Sequence, residues 1–406
     1  MGTASGVFKQ VTYKVETTYG VMPPAGAAQA MRRTTSSLDL TKDTYQSAEI
    51  RPDFQVGDFR HGLRKVGGSI SGELSAKTYG DFVAAVLKKD FVAGVSVANA
   101  SITIAGAAGA WTLTRAAGSW LTDGVKTGDV VRLTAGAFNP ANLDKNILVT
   151  ALTATVMTGI VLNASALVAQ GPIASATLVV AGKKSFTPQA GHIDKSFAIE
   201  HWYPDAGATG ASEVFTGCKV SKVSYTLPAT GMATVAVEFT GKDMTPGTAQ
   251  YFTNPTPVTV TGTMAAVNGV VKVGSAIGGT ITSASIEITA AQSSEPGIGS
   301  NTADQVATGR VIVTGQITAK FDSTALRDAF VNETEVGASL VFTADNSAAS
   351  DFVGFTMSRI KLNGAAKDDG EKVLIQTIPF QALLDGTGGA GKATEMTTIT
   401  VQDSAA

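Results

Sequence analysis

Charged residues are scarce in this 406-residue sequence. They make up 16% of it, against roughly 25% in an ordinary globular protein, and the formal net charge is −2. So small a net charge argues against a basic surface that neutralises phosphates and against an acidic solvating tail. Hydrophobic residues make up 44%, which excludes intrinsic disorder. We interpret so weakly charged a chain as one that associates.

Cysteine and targeting segments are also nearly missing. Cys218 is the only cysteine, which excludes an intramolecular disulfide and a thiolate zinc or iron–sulfur site within one chain. Residues 1–10 lack the basic region and apolar core of a signal peptide, and apolar runs such as 176–181 are too short to span a bilayer. We expect a chain that is made in the cytoplasm and stays soluble there or leaves by cell lysis.

Strand patterns dominate what is present. Short segments alternate small or polar residues with Val, Ile, Leu or Phe, and Gly, Asn, Asp and Pro separate them; examples are residues 69–74, 222–227, 234–239 and 311–317. Only two segments have helical periodicity. Residues 78–89 place Tyr79 and Phe82 on one apolar face, with Thr78 as the N-cap. A second helix is predicted from about residue 323, with Leu326, Ala329 and Phe330 on its apolar face.

The strands and helices recur as an internal repeat. Residues 66–75 align with 313–322 at an offset of 247 (313 − 66), and each of these strands leads into a predicted helix. Upstream, 38–40 aligns with 286–288 at nearly the same offset. Downstream, 215–223 aligns with 352–360 through a shared Phe-x-Gly, at an offset of 137 (352 − 215). Three matches in the same order indicate a tandem duplication.

The drop in offset, 247 − 137 = 110, predicts about that many extra residues in the first copy. Residues 95–185 contain evenly spaced short strands with Gly-Asp and Asp-Gly turns, which predict a small inserted β-barrel or sandwich that can fold alone. A longer loop at 202–213 accounts for the remainder. The predicted domains are thus 1–94 with 186–256, the insert 95–185, and 257–406 with a Gly-rich tail.

The sequence contains no convincing group of catalytic or metal-binding residues. Histidine occurs only at His61, His192 and His201, without metal-ligand spacing. Residues 201–205 gather aromatic and titratable groups, which we interpret as a strand end with an amphipathic anchor. Residues 386–394 nearly match a P-loop, but Ala393 replaces the magnesium-binding hydroxyl and a strand follows, so a flexible linker is favoured. Cys218 is interpreted as a small core or interface residue. We predict no enzyme, no cofactor and no metal.

At this point the sequence resembles a known family, the major tail tube proteins of long-tailed, non-contractile bacteriophages. The resemblance is carried by residues 47–53, by 66–75 with the helix that follows, and by the Phe215-x-Gly217 hairpin that ends at 239–241. It covers about 30–95 and 195–245, and is weaker in the second copy. These are patterns of strand, turn and helix, and none of them is a reactive motif.

The resemblance implies a mainly β protein with two tandem β-sandwich tube domains, each with a flanking helix. It implies rings that stack into the tail tube, through which genomic DNA passes into the host without specific binding. Many members form six-membered rings from one domain per chain, so two domains per chain imply a trimer with pseudo-sixfold symmetry. Expected partners are other copies, the tape measure and terminator proteins, but no membrane. The expected location is the virion tail, assembled in the host cytoplasm.

Within such a tube, the candidates for lumen-facing acidic strand residues are Glu49, Glu73, Glu238 and Glu287, which would repel phosphate. The segment 41–62 is expected to be a loop that reaches an adjacent ring, and the inserted domain is expected to face outward. Two alternatives stay open: a β-sandwich surface-binding or adhesin-like module, and another phage tail or baseplate component. A glycan-cleaving enzyme is a more distant fourth.

Overall fold

The computed structural model describes residues 3–162, 165–274, 276–277, 281–387 and 395–406, and its strands confirm the prediction of a mainly β protein. The first elements along the chain are β1 (Gln10–Val15), β2 (Gln29–Ala30), β3 (Thr35–Ser36), β4 (Asp39–Gln46), β5 (Phe59–Glu73), α1 (Gly80–Leu87) and β6 (Val92–Ala93). The long β4–β5 hairpin includes part of the segment 41–62 predicted as a loop, and its connecting loop is confined to residues 47–58.

The next strands close into a small barrel, as the sequence predicts. They are β7 (Ser96–Ala107), β8 (Ala110–Arg115), β9 (Val130–Ala135), β10 (Ile147–Leu152), β11 (Val156–Val161) and β12 (Gln170–Val180), with the one-turn helix α2 (Trp120–Asp123) and a 3₁₀ turn at Pro140–Asn142. Their order around the barrel is β10-β11-β8-β7-β12-β9. The Trp120 indole is fully buried inside and donates to the Thr155 carbonyl at 3.1 Å. The boundaries of the three domains stay predictions.

The remaining elements are β13 (Lys183–Phe186), β14 (Phe197–Tyr203), β15 (Ala211–Leu227), β16 (Thr234–Gly241), β17 (Asp243–Gly247), a 3₁₀ turn at Ala266–Asn268, β18 (Gly269–Val273), β19 (Ala276–Ile277), β20 (Ile281–Pro296), β21 (Ala303–Lys320), α3 (Ala325–Val331), β22 (Val336–Thr343), β23 (Phe352–Leu362), β24 (Ala366–Lys367), β25 (Ile375–Ala382) and β26 (Thr400–Asp403). The loop predicted at 202–213 is shorter than expected and covers residues 204–210, because β14 and β15 extend into the predicted range from both sides.

Eight strands lie side by side in one antiparallel sheet, in the order β4-β5-β16-β15-β20-β21-β25-β23, and β24 continues β23 along β25. One face of this sheet packs on the main hydrophobic core, where Ile70, Val237, Val223 and Ile288 have no exposed surface. The β15–β20 ladder joins the part of the sheet that precedes residue 248 to the part that follows residue 280.

Helix α1 lies against this core with six consecutive residues, Phe82 to Leu87, buried. The predicted N-cap role of Thr78 is wrong: the helix begins at Gly80, and Tyr79 at the cap position makes no side-chain cap bond. The Thr78 hydroxyl instead lies 2.7 Å from the Ser75 hydroxyl and 2.5 Å from that of Thr259. A side-chain oxygen that already has two partners is not available to the helix terminus.

Helix α3 is short and lies at the surface. Leu326 and Ala329 pack against the core as predicted, but Phe330 is 38% exposed. The prediction that Phe330 faces the core is therefore wrong, since this helix presents only a narrow apolar stripe to β23.

Buried polar contacts hold the barrel on the rest of the molecule. The Gln402 amide donates to the carbonyls of Val130 and Ala181, and its oxygen accepts from the Val130 amide at 2.9 Å. The Lys184 ammonium lies 3.0 Å from the Asp129 carboxylate and 3.3 Å from that of Glu395. These groups are buried, so the docking of the barrel depends on their mutual satisfaction.

Candidate functional site

The face of the eight-stranded sheet that points away from the core carries small and polar side chains. One row of directly paired residues crosses it: Ser71, Ala236, Ser224, Glu287, Thr314, Gln381 and Lys361. All of them are partly or fully exposed, while the residues beside them in each strand are buried, except the half-buried Gly315 next to Thr314. The side chains along this row are small, polar or charged, and they are in contact with solvent.

Two of the predicted acidic residues meet on this face. The Lys222 ammonium lies 2.7 Å from the Glu238 carboxylate and 3.9 Å from that of Glu287. The hydrogen bond that the Lys222 ammonium donates to Glu238 raises the pKa of Lys222, and the charge of Glu287 adds to this shift. Two carboxylates around one ammonium leave a local charge of −1, in the direction that repels phosphate.

The other two predicted acids lie apart. Glu73 is the last residue of β5, exposed and opposite Thr234. Glu49 was predicted as a strand residue, which is wrong: it lies in the loop after β4, 4.0 Å from Arg51. Arg51 in turn contacts Asp53, whose carboxylate also accepts from the Gln55 amide. Such side-chain bonds to the backbone favour a turn over a strand.

Both ends of the sheet leave strand edges open. Within the described ranges, β4 has ladder partners only in β5. In β23, residues before Met357 pair on both sides, with β22 and with β26. Beyond Met357, the only described ladder partner on the β22 side is Val336, opposite Ile360. Unpaired edges of this kind are where another strand can add.

The junction of β15 with β20 shows how such an edge is closed within the chain. Ser224 lies opposite Glu287, in an antiparallel ladder that runs from Lys222 to Leu227. The β20–β21 hairpin also crosses beyond the ladder: the Lys219 ammonium donates to the Val306 carbonyl at 2.9 Å, and the Arg64 amide donates to the Asn301 carbonyl at 2.8 Å. The hairpin therefore covers the strand edge and part of its neighbours.

The two long hairpins have the same register. Asp39 lies opposite Gly67 in β4–β5, and Glu287 opposite Thr314 in β20–β21, which gives offsets of 248 and 247. The ladder irregularity also recurs, between Lys42 and Thr44 in the first hairpin and between Ala290 and Gln292 in the second, at the same offset of 248. These correspondences agree with the repeat offset read from the sequence.

The Phe-x-Gly alignment, however, differs from the strand pairing. Two equivalent runs of ladder partners cross the sheet: Gly67–Thr240–Lys219 and Thr314–Gln381–Lys361. Because Gly67 and Thr314 are equivalent, Lys219 and Lys361 occupy equivalent places, at an offset of 142 (361 − 219). The sequence-based offset of 137 is wrong by five residues.

An ion pair recurs at this corrected position. The Lys219 ammonium lies 2.6 Å from the Asp194 carboxylate, and the Lys361 ammonium lies 2.9 Å from that of Glu333. Each acid stands three residues before a strand, β14 or β22. The hydrogen bond from Lys361 lowers the pKa of Glu333. Sequence reasoning did not single out this pair, and an acidic residue three positions before an apolar strand was the available signal.

The remaining candidate residues from the sequence are Cys218 and the near P-loop. The Cys218 thiol is fully buried, which raises its pKa well above the usual range, and the charge of Glu16 adds to the shift. Residues 388–394 of the near P-loop lie outside the described residues. Among the residues that are described, no group of three His, Cys, Asp or Glu side chains could hold a metal, and no helix is long and apolar enough to cross a membrane.

His201 is buried in β14, with its Nε2 atom 2.8 Å from the Ser36 hydroxyl. Burial, together with the positive charges of Lys9 and Arg33, lowers the pKa of His201 to about 3. The unfolded chain takes up this proton near pH 6.5, whereas the folded chain does not. Stability from this site is therefore complete above pH 6.5 and lost as the pH falls towards 3.

Replacing His201 by glutamine removes that titration. Between pH 6.5 and 5 the wild-type protein should lose about 2 kcal/mol at this site, from about 1.36 kcal/mol per pH unit. In urea titrations, the H201Q variant should show a correspondingly smaller drop in the free energy of unfolding. An H192Q variant, at an exposed histidine, serves as the control for the histidine-to-glutamine substitution itself. Equal slopes for H201Q and wild type would contradict the assignment.

The described part of the chain is thus a mainly β protein whose main sheet has open edges and a polar face. Residues 9–382 match the model of a family described as "Phage tail tube protein". The chain belongs to this family, so it is a structural component of a phage tail tube. Among curated proteins, no match to the sequence was found.

Proposed function

We propose that this protein polymerises into the tail tube of a long-tailed, non-contractile phage, and that genomic DNA passes through the tube into the host. Three copies form each ring, and rings stack. The observation that carries the proposal is the eight-stranded sheet with an open edge at each end, joined in its middle by the β15–β20 ladder. Family membership supports it.

The proposed trimer rests on a tandem duplication of one tube domain. The shared register of the two hairpins supports the duplication, because each half contributes four strands in the same order. Three chains of two domains give 3 × 2 = 6 quasi-equivalent positions. Contacts around the ring close on themselves, whereas contacts between rings stay open and extend a filament.

The tilt of the strands in the eight-stranded sheet supports a closed barrel made by several copies. Four ladder steps lead from Ser71 to Thr314, whose repeat equivalent is Gly67 (314 − 247). The register thus moves by 71 − 67 = 4 residues across four strands. At about 3.3 Å per residue and about 4.8 Å between strands, this is a tilt of about 35°. Closed barrels have strand tilts of roughly 35–45°.

Three chains with eight strands each would form a barrel of 3 × 8 = 24 strands. With a spacing of about 4.8 Å and a tilt of about 35°, its backbone circumference is about 140 Å and its diameter about 45 Å. We place the polar face towards this lumen, because the other face is filled by the core. Glu73, Glu238 and Glu287 would then meet passing DNA and repel its phosphates, so that it is not held.

The other parts of the chain complete the proposal. The small barrel, residues 95–185 in our division, faces outward, because the lumen lining has no room for it. The two tube domains, 1–94 with 186–256 and 257–406, are each a β-sandwich with a flanking helix. The tape measure and terminator proteins are the proposed partners within the tail. The protein is not an enzyme, needs no cofactor and is assembled in the host cytoplasm.

Electron microscopy of the purified protein at high concentration tests this function. Hollow tubes with threefold rings that carry six similar lobes are the expected result. A single compact particle at every concentration, without rings or tubes, would contradict the proposal.

A further inference from the structure

The contact between chains can be derived from the contact within the chain. We propose that residues 364–369 of one copy, which follow β23 and include β24, pair antiparallel with residues 36–41 of the partner subunit, with Ala366 opposite Asp39 of the partner subunit. The inference rests on the proposed function and specifies the partner edge and its register.

The register follows from equivalent positions. Within the chain Ser224 lies opposite Glu287. Ser224 pairs with Ala236, which pairs with Ser71, and Ala366 pairs with Thr377, which pairs with Thr318. Because Ser71 and Thr318 differ by the repeat offset of 247, Ser224 corresponds to Ala366 (224 + 142). Glu287 corresponds to Asp39 (287 − 248). Repeating the internal contact between chains therefore sets Ala366 opposite Asp39 of the partner subunit.

Ring closure supports this register. From Thr318, equivalent to Ser71, the ladder runs through Thr377 and Ala366 to Asp39 and then Gly67 of the partner subunit. The shift is again 71 − 67 = 4 residues, so every junction has the same tilt. The offset of 137 would instead set Lys361 opposite Asp39, with a shift of 67 − 67 = 0. The tilt would then alternate around the ring, which a regular barrel does not accommodate.

Burial separates the two junctions as the proposal requires. Val306 of the β20–β21 hairpin has no exposed surface, whereas its equivalent Phe59 (306 − 247) in the β4–β5 hairpin is 54% exposed. The Lys219 side chain is 5% exposed and its equivalent Lys361 is 40% exposed. The exposed members lie on the two free edges, where a neighbouring copy would cover them.

The same equivalence assigns a contact to Lys361. Within the chain, Lys219 binds both Asp194 and the Val306 carbonyl. Lys361 already holds Glu333, and in the ring its ammonium donates in addition to the Phe59 carbonyl of the partner subunit. The β4–β5 hairpin of each copy thereby lies over the second half of its neighbour.

Cysteine cross-linking of assembled tubes tests the register. Asp39 and Ala366 are exposed in the single chain, so a D39C/A366C variant should fold, and the buried Cys218 gives no background. Oxidation should convert its rings to covalent trimers on a non-reducing gel. A D39C/K361C variant, whose thiols would lie about 16 Å apart at about 3.3 Å per residue, should stay monomeric, as should each single variant.

The outcomes separate the register from the function. Tubes that cross-link through D39C/K361C, or through neither pair, overturn this register and leave the proposed function intact. A wild-type protein that forms no rings or tubes overturns the proposed function itself.

Discussion

Replacing Phe59 by aspartate should prevent tube assembly while leaving the folded monomer stable. Phe59 is 54% exposed on the β4–β5 hairpin, so a charge there costs the monomer little. Between copies, the variant loses the burial of the exposed half of this side chain, about 1 kcal/mol, and it would bury an unpaired polar group there, which costs about 1–3 kcal/mol more. At about 1.4 kcal/mol per tenfold change, each contact weakens about 30- to 700-fold. Sedimentation and electron microscopy measure the assembly, and urea unfolding measures the monomer.

Two matched variants sharpen this test. Phe59→Leu keeps an apolar side chain and should assemble nearly as the wild type does. Val306→Asp makes the equivalent change at the junction within the chain, where the side chain has no exposed surface. It should destabilise the monomer itself, because an unpaired charge would be buried. Tubes of F59D at wild-type concentrations would show that this hairpin does not lie between copies.

The repeat shows how far the sequence alone leads. Hydrophobic alternation is a local signal, and it predicted the strands, the helix near residues 80–87, the closed barrel and the 247-residue offset of the hairpins. Those features depend on residues a few positions apart. Glu238 and Glu287 fall on the polar positions of the same alternation, so the sequence also placed them on the outward-facing side of their strands; that they face a lumen stays a prediction.

The register of β23 could not be found in the same way. In the first half, the pairing of β15 with β16 shifts by one residue between Val220 and Lys222. In the second half, the pairing of β23 and β24 with β25 shifts in the same way between Leu362 and Ala366. Because the extra residue occurs in both halves, it leaves the offset at 142 and does not explain the error. Residues 214–220 and 352–355 are buried without alternation, so no local pattern marks their register. The shared Phe-x-Gly aligned residues that do not occupy equivalent places, and the Lys219 and Lys361 ion pairs were not recognised.

A different large effect should come from Lys184, at the contact between the small barrel and the sheet. Its ammonium lies between the carboxylates of Asp129 and Glu395, and Lys126 also binds Glu395 at 2.7 Å. Burial lowers the pKa of Lys184, but the two carboxylates outweigh burial and keep it raised. In a K184M variant, Lys126 is the one remaining cation of this cluster for the carboxylates of Asp129 and Glu395. Removing one partner of a buried ion pair costs about 3–5 kcal/mol, measured as the free energy of unfolding in urea.

The neighbouring Lys183 provides the control, since it is exposed on the same strand and K183M should change stability by less than about 0.5 kcal/mol. A second substitution tests the cause. Asp129 also accepts the Lys126 amide at 2.9 Å, a bond that asparagine can keep, so D129N in the K184M background removes the uncompensated charge. The double variant should therefore recover part of the lost stability. If K184M costs no more than K183M, the buried cluster does not hold the barrel on the sheet.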